Sequence, residues 1–268
     1  MLKDGHIHTR FCPHGTQDAL DGYVEKALSL GLKEISFTEH APLPDGFIDP
    51  APAKDSSMRM EELEIYFEEI ARVKSVYTRK IKINTGLEVD FIEGFEQETE
   101  NFLDQYGKHL DDAILSVHFL KYGGQYDCVD YSPDTFAKMI ERYGTIEEIY
   151  RVYYQTLLHS IHSDLGPYKP KRIGHMTLVN KFQKRFPIKK DFSEEIMDVL
   201  SAIKTKGYEI DYNGAGYFKP LCKESYPPEW AAKEALNRGI PLVYGSDAHQ
   251  IKDLGQGQNL MKYWREVL

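Results

Sequence analysis

The sequence has little cysteine. Cys12, Cys128 and Cys222 are odd in number and far apart, so no disulfide framework is expected, and they read as reduced thiols of a cytoplasmic protein. No apolar run approaches the roughly 18–20 residues that a membrane span needs. The opening MLKDGHIH has no apolar segment, so no secretory leader is expected. Positive charge is also in short supply. Lys and Arg number 33 against 42 Asp and Glu, a formal net charge of −9, and no basic run or stripe appears. That argues against nucleic acid and against an anionic membrane as partner. Repeats, low-complexity tracts and Ser/Gly linkers are absent, so residues 1–268 are expected to form one domain.

What is present is alternation. Short apolar runs at 5–9, 34–40, 81–89, 113–119, 171–178, 208–214 and 241–249 read as strands. Longer amphipathic stretches at 17–30, 58–80, 93–106, 133–164, 191–206, 227–238 and 256–267 read as helices. Gly31, Gly207 and Gly239 follow helical patterns where a left-handed cap is expected. Thr16-Gln17-Asp18, Ser132-Pro-Asp, Asp191-Phe-Ser and Tyr226-Pro-Pro-Glu are plausible helix starts. The loop 41–57 is rich in Pro and polar residues, and a loop of that length is usually functional or mobile. Seven strands alternating with helices imply an α/β fold, a distorted (β/α)7 barrel resembling the TIM barrel.

In such barrels chemistry gathers at the C-terminal strand ends. The polar residues fall there in succession: His6 and His8, Glu39 and His40, Glu88 and Asp90, His118, His175, Asp211 and Asn213, then Asp247 and His249. His14 follows on the first loop, so three histidines lie within nine residues of one another. His109, His159 and His162 lie off these ends and read as ordinary surface or packing residues. A lone H-x-H is weak. Seven histidines with two carboxylates on one rim are not independent accidents. Burying them together without a cation would cost a few kcal/mol for each unpaired group, on the order of the usual desolvation penalty. Neutral imidazole and carboxylate are natural ligands of divalent metals, and so many ligands exceed one tetrahedral centre. Two or three divalent ions are therefore expected, of Zn, Fe, Mn or a mixture. Such clusters suit hydrolysis of phosphate esters.

The motifs T-E-H at 38–40, G-L-E-V-D at 86–90, S-V-H-F at 116–119, I-G-H-M-T-L at 173–178 and S-D-A-H at 246–249, with the opening H-x-H, resemble the PHP (polymerase and histidinol phosphatase) family in that family's order. The F-C-P-H-G that completes the opening and D-x-N-G-A-G at 211–216 are most similar to its monofunctional histidinol-phosphate phosphatases. The resemblance implies a trinuclear site. His6, His8, Glu88 and Asp247 would hold one ion, and Glu88 would bridge to a second held by His118 and His175. His14, His40 and His249 would hold a third. It also implies hydrolysis of L-histidinol phosphate, a small phosphate ester, in histidine biosynthesis.

Further roles follow as expectations. Asp247 or a protonated histidine such as His249 would give a proton to the leaving alkoxide, and Glu88 would bridge. Glu39 would orient a histidine or meet the substrate. Arg172, Lys171 or Arg10 would meet phosphate. Glu93, Asp90, Asn213 and Tyr217 would receive the ammonium and imidazole ends. Cys12, between candidate ligands, reads as a bystander. The rivals are a PHP phosphoesterase for another small ester or phosphotyrosine, a deaminase-type metal barrel and a non-catalytic metal module. The deaminase class needs a lysine at a later strand end, and none fits.

Overall fold

The computed structural model describes residues 2–266. Nine strands are present among them: β1 (Lys3–Ile7), β2 (Glu34–His40), β3 (Lys82–Asp90), β4 (Asp112–Ser116), β5 (Phe119–Tyr122), β6 (Gln125–Cys128), β7 (Arg172–Ile173), β8 (Glu209–Asn213) and β9 (Leu242–Gly245). Seven α-helices accompany them: α1 (Leu20–Ser29), α2 (Leu63–Tyr77), α3 (Glu96–Tyr106), α4 (Pro133–Tyr143), α5 (Ile146–His162), α6 (Ser193–Lys206) and α7 (Glu229–Asn237). None is long and apolar enough to cross a membrane.

The main sheet runs β1-β2-β3-β4-β7-β8-β9, parallel throughout. A parallel bridge between Ile7 and Ala248 joins the last strand to the first, with Asp247 N donating to His6 O at 2.8 Å. The result is the expected distorted seven-stranded barrel. Its strands are covered on both faces, so β2 is buried along its whole length. The helices pack outside through apolar positions three and four apart, such as Leu20, Tyr23, Val24 and Ala27 on α1. The antiparallel pair β5–β6 turns on Gly123 and Gly124, both at positive φ, and seals a small satellite core of Ile92, Phe119 and Cys128.

Several boundaries depart from the pattern reading. The stretch 133–164 is two helices. Gly144 has φ +84° and Thr145 caps α5 by accepting from Glu148 N at 3.1 Å, so the chain restarts. The helix expected at 256–267 is a run of turns over 256–266, and residue 267 lies outside the described residues. Gly255 and Gly257 are left-handed, and a Cβ on Gly257 would come within 2.7 Å of Gly214 Cα. Helix α1 starts at Leu20 without a side-chain cap, because Ala19 holds the N-cap position, and the Asp18 carboxylate accepts from Ile251 N. The strand expected at 171–178 spans only two residues, and the one expected at 113–119 ends at Ser116. Gly31, Gly207 and Gly239 sit left-handed just past α1, α6 and α7 as expected. Ser132 caps α4 through Thr135 N.

Candidate metal centre

Each strand end delivers one or two polar side chains to the same point. Glu88, at the end of β3, is the centre, and it is 1% exposed. Its Oε2 faces His6 Nε2 at 3.3 Å, His8 Nε2 at 3.5 Å and His40 Nδ1 at 3.1 Å. Its Oε1 faces His175 Nε2 at 2.9 Å and His118 Nε2 at 3.8 Å, and accepts from Ser116 Oγ at 2.6 Å. The two oxygens thus serve two separate histidine sets. Asp247 Oδ1 lies 3.2 Å from His8 Nε2 and 3.9 Å from His6 Nε2. Its backbone sits at φ +52°, a conformation costing a non-glycine residue on the order of 1–3 kcal/mol. His249 shares this corner, its ring stacked on His8 at 4.1 Å.

The histidines are held from behind. Asp211 Oδ2 accepts from His6 Nδ1 at 2.8 Å, Glu39 Oε1 from His8 Nδ1 at 3.1 Å, and Asp90 Oδ1 from His118 Nδ1 at 2.7 Å. In each pair the carboxylate takes one ring nitrogen and turns the other inward, the arrangement that orients metal ligands. Glu39 is itself pinned by Thr9 N at 2.7 Å, Thr9 Oγ1 at 2.6 Å and His40 N at 3.0 Å.

The charges are unresolved without a cation. Burial opposes protonation of His6 and His8, but the carboxylates outweigh it, raising His6 well above its ordinary range and His8 to about 9. Burial and the neighbouring His8 push His40 well below its ordinary value and His249 down to about 3. Burial would raise Glu88 and Asp247, yet the surrounding rings hold both far below the carboxylate range. Glu88 Oε2, His40 Nδ1, His175 Nδ1 and Asp211 Oδ1 are buried with no hydrogen-bond partner. Orphaned donor atoms of this kind, nitrogen and carboxylate oxygen together, fit divalent metal ions. Three groups of possible ligand atoms, each within 4.8 Å of one another, are His6–His8–Asp247, Glu88–His118–His175 and His8–Cys12–His40–His249. Asp90 forms a fourth with His40 and His118.

The cluster forms the floor of a cavity of about 760 Å³. His14 lines it but stands apart from the groups, half-exposed, with Nε2 3.2 Å from Asp55 Oδ2. Most expected substrate contacts are elsewhere. Arg172 lies at the opposite end of the barrel, donating to Gly5 O at 2.9 Å and paired with Asp112 at 3.0 Å. Its strand is too short to carry it toward the rim. Arg10 is paired outside with Glu69. Glu93 offers its carbonyl to Tyr126, and Tyr217 donates to Glu229 at 2.9 Å; neither lines the cavity, nor does Lys171, which belongs to a second cleft. Asn213 is fully buried, tying Asp211 (3.1 Å) to Asp247 (3.2 Å). Asp90 faces His118 rather than open space. The cavity's cations are Lys181, Lys219 and Lys252. Pattern reading missed them because they sit on turns past the strands. The nearest signal was the run K-F-Q-K at 181–184, just after the His175 motif.

Comparison with known proteins bears on the family and the fold. The PHP domain family matches residues 4–215. The chain is 50% identical over 257 residues to a histidinol-phosphatase of Bacillus subtilis (strain 168), covering 94% of this chain and 95% of that one. It superposes with TM-score 0.91 on the crystal structure of a Listeria monocytogenes protein assigned to the histidinol phosphatases, at 39% identity, covering 96% of this chain and 99% of that one. The histidinol phosphate phosphatase of Lactococcus lactis, crystallised with Zn, L-histidinol and phosphate, superposes with TM-score 0.70 at 23% identity, a likeness of fold, covering 98% and 93% of the two chains.

Proposed function

The chain belongs to the PHP domain family, and from that premise we propose that it is a phosphomonoesterase, a histidinol-phosphatase that hydrolyses L-histidinol phosphate to L-histidinol and phosphate in histidine biosynthesis. The barrel acts as one unit along the chain. The three cysteines, all buried and unpaired, support a reducing cytoplasm as its setting.

The observation that carries the chemistry is the division of Glu88, one oxygen toward His6, His8 and His40 and the other toward His118 and His175. His6, His8, Glu88 and Asp247 would hold one ion, Glu88, His118 and His175 a second, and His40, His249 and His14 a third. The mixed nitrogen and oxygen donors suit Zn, Fe, Mn or a mixture. When bound, the ions would lower the pKa of water toward about 7 and screen phosphoryl charge.

The chain's own residues do the rest. Lys181 Nζ sits 2.7 Å from Asp130 Oδ2 on the His118 and His175 side, and with Lys219 it supplies the cations that hold the phosphoryl oxygens. Asp130 keeps Lys181 charged, raising it against the pull of burial. Tyr131 and Phe218 give the wall an aromatic surface for the imidazole. Burial would raise the Asp247 carboxyl, but the imidazoles around it hold it below its ordinary range, and burial with His8 alongside lowers His249 to about 3, which favours a carboxylate and a neutral imidazole here. They act as ligands, and the proton for the leaving alkoxide comes from solvent in the cavity.

The test is phosphate release from L-histidinol phosphate by the purified protein, with metal content measured on the same sample. Fast release with two to three equivalents of metal is expected. Metal without release, against a panel of other phosphate esters that includes phosphotyrosine, would move the substrate. No metal after reconstitution would overturn the reading.

A further inference from the structure

The loop 41–57 ends beside the cavity, and its construction points to a task. Asp49 gathers the turn that follows it, its carboxylate accepting from Ala51 N at 2.8 Å, Ser56 N at 3.1 Å and Ser56 Oγ at 3.1 Å. Lys54 N donates to Ala51 O at 3.0 Å, and Lys54 itself is left-handed at φ +53°. Met58 N then returns to His40 O at 3.3 Å, tying the loop to the end of β2. The loop is therefore braced, and the bracing fixes Asp55.

Asp55 uses one oxygen and leaves the other idle. Oδ2 lies 3.2 Å from His14 Nε2, while Oδ1 is buried with no partner. Three histidines of the same site already carry a carboxylate on one ring nitrogen: His6 with Asp211, His8 with Glu39 and His118 with Asp90. His14 with Asp55 also pairs a ring nitrogen with a carboxylate, but through Nε2 where the other three use Nδ1, so that Nδ1 is the nitrogen left for a metal; the pair spans two loops and remains accessible, at 43% and 29% side-chain exposure. The other three pairs are buried.

We infer that Asp55 is the positioning residue of His14, and that the braced loop 41–57 thereby completes the third metal site at its solvent-facing side. The inference rests on the three-ion reading above. Its consequence is a graded centre. Two ions are caged by buried pairs. The third is held by an exposed pair and exchanges first.

Zinc retention in the purified protein tests this without turnover. Wild-type and Asp55→Ala proteins are loaded with zinc, then dialysed against zinc buffers of decreasing free concentration, and equivalents are counted by elemental analysis. Wild-type protein is expected to lose one equivalent before the other two. Asp55→Ala is expected to lose that equivalent at about ten- to a hundredfold higher free zinc, with the other two unchanged. Asp55→Glu should restore part of the difference. Asp49→Ala, which only loosens the turn, should shift the third equivalent in the same direction by less, and it reports should Asp55→Ala misfold. Retention of all three equivalents by folded Asp55→Ala at wild-type zinc would overturn the inference. So would unchanged retention with a raised KM for histidinol phosphate alone among esters, which would make Asp55 a contact for the substrate's ammonium. A wild-type protein that never holds a third equivalent would instead break the three-ion reading beneath it.

Discussion

The two ends of the barrel are both polar inside, and they solve burial in opposite ways. At the N-terminal end Lys3, Glu34, Asp112 and Arg172 bring two positive and two negative charges together. Asp112 Oδ2 lies 3.0 Å from Lys3, its Oδ1 lies 3.0 Å from Arg172, and Ser36 donates to it at 2.5 Å. Glu34 takes Lys3 at 3.3 Å and Asn84 at 2.8 Å. At the C-terminal end Glu39, Glu88, Asp90, Asp211 and Asp247 meet histidines and no directly bonded Lys or Arg. At the first end each of these carboxylates is paired with a cation, Lys82 adding a further one to Glu34 at 3.3 Å. The second is neutral only when protons or metal ions are added, and metal binding must displace those protons. The same strands thus carry a structural plug at their starts and a reactive floor at their ends, as expected when stability and chemistry occupy opposite faces of a barrel.

If this contrast holds, substitutions at the two ends must fail in different currencies. Glu88→Ala removes the carboxylate shared by both histidine sets. Phosphate release is expected to fall by about a thousandfold or more, and metal content by at least one equivalent. Normal metal and rate would deny Glu88 its bridging role. Asp112→Ala leaves Arg172, 2% exposed, without its carboxylate, and should cost about 3–5 kcal/mol in urea unfolding. Metal content in the folded fraction should not change. Burial pushes the Asp112 carboxyl up, but Arg172 and Lys3 pull it below its ordinary value. Its contribution is therefore present above the ordinary carboxylate pKa and lost as pH falls through the lowered one. Loss of metal in Asp112→Ala would erase the distinction between the ends.

This contrast also marks what could be read in advance. Strand-end histidines were legible because parallel strands between helices place their last residues on one rim whatever the register. The orienting carboxylates were half legible. Glu39 was open to either role, whereas Asp90 and Asn213 were read toward the substrate although their side chains turn inward to His118 and Asp247. Arg172 was read toward phosphate because it stands three residues before His175, although alternation already sent it to the other face; it opens its strand and bonds Gly5 O at the starting end of the barrel. Lys181, Lys219 and Lys252 left no periodic trace, since turns and short 3-10 segments present them. The break at Gly144 was hidden by apolar spacing that continues across it. The turn run after Gly255 was hidden because its cause is a backbone contact with Gly214, far away in sequence.

Within the reactive end, the supporting pairs should matter less than the shared ligand. Asp90→Asn keeps the size of the group facing His118 Nδ1 but removes its charge. Turnover or metal affinity is expected to fall by about ten- to a hundredfold, with the fold intact by thermal unfolding. A silent Asp90→Asn would mean that His118 is oriented by packing alone. A loss equal to that of Glu88→Ala would make Asp90 a ligand rather than a support, an arrangement its place beside His40 and His118 also allows.

The weakest effect is expected where a histidine belongs to neither end's network. His109 is exposed in the short turn after α3, its ring 6.2 Å from that of Phe67, and it has no hydrogen bond or ion pair to the site. It lies just before Asp112, on the starting side of β4, so no motion of its side chain reaches the cavity floor. His109→Ala should change stability by no more than about 0.5 kcal/mol, the usual range for a surface substitution, and leave both metal content and phosphate release at wild-type values. The measurement is sharp because His109 shares its chemistry with the ligands and differs only in position. A large loss of activity would mean that imidazole content, rather than placement at the strand ends, supplies the site, and the contrast between the barrel's two ends would lose its basis.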